Sequence, residues 1–116
     1  MSVSSNPLPV PRNACAQFME SVNRNLTNLQ SQRATVLNYK GVASMEDRAN
    51  AMHRIIQRLE QLSAIVSANC VGLSSSDPCK KDVCREAGKI KDLIREAGEH
   101  ENFFKEAIPH VLPREL

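Results

Sequence analysis

Apolar residues recur at alternating steps of three and four along three long stretches of the chain. This spacing places them on one stripe of an α-helix, whereas a strand requires alternation at every second residue. The most regular stripe, in the second stretch, comprises Met45, Ala49, Met52, Ile55, Ile56, Leu59, Leu62, Ile65 and Val66. The sequence therefore predicts an all-α protein whose helices meet along coiled-coil-like seams.

Capping residues predict where the first two helices begin and end. The first helix is predicted over residues 13–40, because Asn13 is a good N-cap and Gly41 follows as a terminator. The second is predicted over residues 44–70, opened by Ser44 with acidic residues in its first turn. Only a few residues connect them, so an antiparallel helical hairpin is expected.

A third helix is predicted over residues 78–108. Asp77 can act as its N-cap with Pro78 at the first helical position, and Pro109 cannot continue it. Gly98 lies in its interior, where glycine costs about 1 kcal/mol relative to alanine, so a break is possible there.

Residues 13–108 are therefore expected to form one helical domain between two tails. Prolines at 7, 9 and 11 favour an extended, flexible tail over residues 1–12, and residues 109–116 form a C-terminal tail. With no Trp, three Phe and one Tyr, the core has to be aliphatic. Homodimerisation is expected to supply additional burial.

The cysteines are Cys15, Cys70, Cys79 and Cys84. No apolar run typical of a secretory leader or a membrane span is found, which predicts a cytoplasmic protein with free thiols. A disulfide between the end of the second helix and the start of the third is an alternative. Zinc sites use paired ligands with two to four residues between them and need four ligands, so the gaps of eight and four residues between Cys70, Cys79 and Cys84 are only weakly suggestive and no metal or cofactor is predicted.

Catalytic motifs are not evident in the sequence. The three histidines are scattered, and no Gly-rich phosphate loop or nucleophile motif is found. We therefore expect a protein that is not an enzyme and that binds another protein to inhibit it or to act as a scaffold.

Apolar side chains beyond the needs of one core are the predicted contacts with that partner. They lie near the end of the third helix and on the seams, and comprise Phe103, Phe104, Ile108, Met19, Met45 and Met52. Phe103 and Phe104 point about 100° apart on a helix, so at most one faces a narrow seam. Alternatively, both rings cover the ends of the hairpin.

Arginines support a second hypothesis, nucleic-acid binding. Arg54 and Arg58 share a helix face, with Arg48 upstream and Arg33 on the first seam. Two such rows in a symmetric dimer could contact duplex phosphates, an architecture similar to the helical-dimer double-stranded RNA binders that some viruses use to suppress silencing.

The evidence from charge for this second hypothesis is limited. The net charge of +2 is too small to indicate nucleic acid by itself, and a solvated polar face explains the row equally well. Arg33 can instead extend to the edge of its seam or fix the register by pairing with an acid on another helix.

Overall fold

The computed structural model of the chain describes residues 9–38 and 44–108, with side chains from residue 14 onward in the first range. Three helices account for nearly all of this part: α1 (Pro9–Asn38), α2 (Met45–Gly72) and α3 (Pro78–Glu106). No strand occurs in the two described ranges. The prediction of an all-α protein is confirmed.

Helix α1 begins at Pro9, four residues before the predicted start. Asn13 therefore lies inside the helix rather than at its N-cap, and residues 9–12 are helical rather than extended. Prolines are tolerated in a first helical turn, where backbone N–H groups have no intrahelical acceptor. Helix α1 ends at Asn38, and the predicted stop signals at Lys40 and Gly41 lie outside the described residues.

Helix α2 begins as the sequence predicts. The Ser44 hydroxyl accepts a hydrogen bond from the Asp47 backbone N–H at 3.0 Å, which satisfies one of the free donors of the first turn. Glu46 and Asp47 complement the positive end of the helix dipole. The helix continues to Gly72, two residues beyond the expected end.

Helix α3 also has the predicted cap. The Asp77 carboxylate accepts the Cys79 backbone N–H at 2.8 Å, and Pro78 occupies the first turn. The helix runs through Gly98 without a break and ends at Glu106, two residues before the predicted end. Ala97 and Glu101, on either side of Gly98, are both buried. Tertiary packing of this part of α3 can offset the low helix propensity of glycine.

The three helices form an up-down-up bundle. Cys15 of α1 is bonded to Cys79 of α3, and Arg33 of α1 contacts Glu96 of α3, with sequence separations of 64 and 63. A near-constant separation means that α1 and α3 run parallel in fixed register. Helix α2 runs antiparallel to both and packs most closely against α3.

The core is aliphatic, as the scarcity of aromatic residues requires. Its largest fully buried side chains are Met52, Leu59, Val66, Val83 and Ile90. Helix α1 contributes Val22, Leu26 and Leu29 from its predicted seam, and Phe104 is the one aromatic ring in the core of the described ranges. Of the adjacent pair Ile65 and Val66, only Val66 faces inward.

Two disulfides join the helices at one end of the bundle, so the prediction of free thiols is wrong. Cys15–Cys79 links α1 to α3 with Cα atoms 6.2 Å apart, and Cys70–Cys84 links α2 to α3 at 4.9 Å. The second bond is the alternative that the sequence left open. Cys79 and Cys84 are five residues apart, about 140° around the helix, so each faces a different neighbouring helix.

Removing the Cys15–Cys79 bond should destabilise the bundle more than removing the Cys70–Cys84 bond. The bonds span 64 and 14 residues, and loop-closure entropy gives about 4 kcal/mol for the longer loop and about 3 kcal/mol for the shorter. Urea unfolding of the Cys15→Ser/Cys79→Ser and Cys70→Ser/Cys84→Ser variants measures both losses. A larger loss from the shorter loop would contradict this account.

Two isoleucines offer a matched test of the core. Ile90→Ala removes a fully buried side chain and should lower the free energy of unfolding by about 2–5 kcal/mol. Ile65→Ala makes the same chemical change at a position that is 53% exposed and should cost less than about 1 kcal/mol. Equal losses in urea titrations would mean that the inward face assigned to α3 at Ile90 or to α2 at Ile65 is incorrect.

Candidate functional site

An open groove of about 370 Å³ lies between α1 and α2. We call it the α1/α2 groove, and its lining residues are Gln32, Val36, Ala51, Arg54, Ile55 and Arg58. The α1 residues are four apart and the α2 residues follow steps of three, one and three, so each set lies on one helix face. Because the two helices are antiparallel neighbours, these faces flank the same depression.

The floor of the α1/α2 groove is apolar and its rim is cationic. Ile55 is buried and Val36 is half-buried, whereas Arg54 and Arg58 are both exposed. Neither arginine makes a hydrogen bond or ion pair with another residue in the described ranges. Their five-donor guanidinium groups are therefore available to an external acceptor.

The exposed arginines of α3 differ from this pair. Arg85 lies 3.4 Å from Asp82, and Arg95 lies 3.8 Å from both Asp92 and Glu99. These local ion pairs on a solvated face are typical of surface helices. Availability of the guanidinium group thus distinguishes the groove arginines from other arginines of similar exposure.

Arg33, a predicted phosphate contact, instead faces α3. Its side chain is 11% exposed, and its guanidinium group lies 3.2 Å from the Glu96 carboxylate and 3.3 Å from His100 Nδ1. It also donates to Gln30 at 3.1 Å. Of the three alternatives that the sequence left open, pairing with an acid on another helix is the one observed.

Arg48 is also directed toward α3. Its guanidinium carbon lies 6.0 Å from the centre of the Phe104 ring, at the outer limit of a cation–π contact. The four arginines of the nucleic-acid hypothesis therefore do not form one row. Arg54 and Arg58 line the α1/α2 groove, while Arg33 and Arg48 contact residues of α3.

The apolar residues predicted to bind a partner are also divided by the fold. Met52 and Phe104 are in the core, at 0% and 3% exposure, and Phe103 is 62% exposed. The others, Met19, Met45 and Ile108, are half-buried.

Sequence reasoning missed two exposed apolar side chains, Ile65 and Val71. Adjacent Ile65 and Val66 carried a weak signal, because neighbours on a helix point about 100° apart, but the equally adjacent Ile55 and Ile56 are both buried.

A polar cluster joins α2 to α3 near the end opposite the disulfides. His53 Nδ1 lies 3.0 Å from the Glu101 carboxylate, which also pairs with Lys105 at 3.1 Å. Every cysteine is in a disulfide, so the described residues include no free thiol beside a histidine. They also include no group of three or more side chains that could hold a metal ion. The cluster has the geometry of a structural link between helices.

Comparison of the chain with known protein families, curated proteins and solved structures finds no match. Within the two described ranges, no helix has the length and apolar character needed to cross a membrane.

Replacing Arg33 with methionine should leave stability unchanged or raise it slightly. Arg33 Nε is buried without a hydrogen-bond partner, and half-exposed Glu96 can be solvated once the arginine is gone. Arg33→Ala should instead cost about 1–3 kcal/mol, because it also removes the packing of the arginine stem. Urea unfolding of both variants compares the two effects. A loss with methionine as large as that with alanine would mean that the ion pair itself stabilises the bundle.

Proposed function

We propose that this chain is a non-catalytic binding protein that holds a segment of a partner polypeptide in the α1/α2 groove. One observation carries the proposal: two available arginines lie beside an apolar floor. Arg54 and Arg58 are both exposed and make no hydrogen bond or ion pair in the described ranges. A peptide supplies both complements at once, carboxylates for the guanidinium groups and apolar side chains for Val36 and Ile55.

The covalent links support such a role. Helix α1 forms one wall of the α1/α2 groove and is bonded through Cys15 to α3, while α2, the other wall, is bonded through Cys70 to the same helix. The cross-links lie about 18–32 Å along the helices from the groove residues and limit independent movement of the two walls, which lowers the conformational entropy that the groove loses on binding.

A nucleic-acid duplex is the less favoured partner. Specific duplex binders neutralise several phosphates, and the α1/α2 groove offers two arginines because Arg33 and Arg48 contact α3. The described side chains also offer no exposed aromatic pair for stacking on bases. Phosphate binding by Arg54 and Arg58 is therefore kept as an outcome of the experiment below.

Two further expectations accompany the proposal. Disulfides persist in oxidising compartments, so we infer that the protein acts in such a compartment rather than in the cytoplasm that the sequence suggested.

Homodimerisation stays a prediction. Exposed Phe103 lies on α3 rather than in the α1/α2 groove and is a candidate for such a second contact.

The proposal predicts that a partner protein depends on the groove arginines for binding. The wild-type chain is immobilised beside Arg54→Ala/Arg58→Ala and, as a control with the same charge change, Arg85→Ala/Arg95→Ala. An extract of the source cells is then applied and retained proteins are crosslinked and identified. We expect a protein retained by the wild type and the control and reduced at least about tenfold by the groove variant.

The contradicting outcomes are equally defined. Retention that is the same on all three chains would place binding outside the α1/α2 groove. A mobility shift with duplex RNA or DNA that is lost in Arg54→Ala/Arg58→Ala and falls steeply with salt would favour the nucleic-acid hypothesis instead.

A further inference from the structure

The surface of α2 beside the α1/α2 groove continues in a regular pattern. Arg54, Arg58 and Ile65 lie within about 40° of one another around the helix, over about 17 Å of its length. Asp47 lies on the same stripe, seven residues before Arg54. The stripe therefore reads acidic, basic, basic, apolar, at spacings of seven, four and seven residues.

These spacings are those at which side chains of one helix lie above one another. Seven residues are close to two turns and four residues are close to one, so a straight helix laid along the stripe can meet every position. A depression between two antiparallel helices also has the shape into which the side-chain ridge of a third helix packs. An extended strand, with its period of two, would meet these positions only in part.

We propose that the occupant of the α1/α2 groove is an amphipathic helix of a partner protein that presents two carboxylates four residues apart. This inference rests on the proposed function and names the chemistry of the partner. The two carboxylates pair with Arg54 and Arg58, whose guanidinium groups form no ion pair in the described ranges. An apolar side chain seven residues from the pair contacts Ile65, which is 53% exposed.

Asp47 makes the two ends of the stripe chemically different, with an acidic residue at one end and apolar Ile65 at the other. A partner carboxylate opposite Asp47 would be repelled, whereas a lysine or arginine would be attracted. The complementary helix thus carries a cation, then the acidic pair, then an apolar residue, again at spacings of seven, four and seven. Carboxylates also bind guanidinium groups through paired hydrogen bonds, which fixes the register of the partner.

Two synthetic alanine-rich peptides of about 20 residues test the inference, long enough to be partly helical in water. One carries Lys, Glu, Glu and Leu in that order at the stated spacings, and the other carries them in reverse, since the partner can run in either direction. Each has a matched peptide with both glutamates replaced by glutamine. Fluorescence anisotropy measures binding to the disulfide-intact, full-length chain.

We expect one glutamate peptide to bind about three- to tenfold more tightly than its glutamine match, because each ion pair with an exposed arginine contributes modestly. That preference should disappear in Arg54→Ala/Arg58→Ala and persist in Arg85→Ala/Arg95→Ala. Far-UV circular dichroism and thermal unfolding of each variant establish that the bundle is intact. Arg54→Lys/Arg58→Lys should retain part of the preference, because it keeps the charge but loses the two-point hydrogen bonding.

Equal binding of glutamate and glutamine peptides by the wild type would overturn the acidic-helix inference. If a captured protein still depends on Arg54 and Arg58, the proposed function stands and the occupant is of another kind. If capture is also independent of both arginines, the proposed function fails as well. Self-association of the wild type that is lost in the groove variant would identify a second copy of the chain as the occupant and would likewise overturn the inference.

Discussion

Helix α3 carries cysteines on two of its faces, and this placement organises the whole bundle. Cys79 reaches α1 and Cys84 reaches α2, so the three helices are covalently joined near one end. A chain with few aromatic residues has a limited supply of large apolar side chains, and cross-links reduce the entropy of its unfolded state instead. The aliphatic core packs the helices along their length, and the disulfides join them near one end.

The same cross-links determine the position of the α1/α2 groove. Cys15 fixes the axial position of α1 relative to α3, and the Arg33–Glu96 pair maintains that register about 27 Å further along the helix. Helix α2 is held separately through Cys70 and through His53 with Glu101. Gln32 and Val36 of α1 consequently lie opposite Arg54 and Arg58 of α2. The groove therefore depends on two axial alignments, that of α1 with α3 and that of α2 with α3.

The positive charge at the α1/α2 groove comes from the arginines that make no polar contact elsewhere in the described part of the fold. Arg33 and Arg48 contribute to contacts with α3, and Arg85 and Arg95 pair with acids on their own helix. Arg54 and Arg58 make no ion pair or hydrogen bond with a described residue. A strongly hydrogen-bonding pair beside buried Ile55 is an arrangement suited to recognising a polypeptide that is itself amphipathic.

Much of the local structure could be predicted from the sequence, because the interactions that decide it are short in range. The three-four spacing identified all three helices and most of the core, and the caps at Ser44 and Asp77 depend on neighbours two or three residues away. The start of α1 was misplaced because prolines in a first helical turn resemble those of an extended tail.

Contacts between residues far apart in the sequence were decided only by the tertiary structure. The pairing of Cys15 with Cys79 joins positions 64 residues apart, and no local pattern distinguishes it from other pairings of four cysteines. The partner of Arg33, the burial of Phe104 rather than Phe103, and the groove around Arg54 and Arg58 follow from how the helices align. The amphipathic stripes were determined by the sequence itself, whereas their partners depend on the disulfides and packing that bring distant helices together.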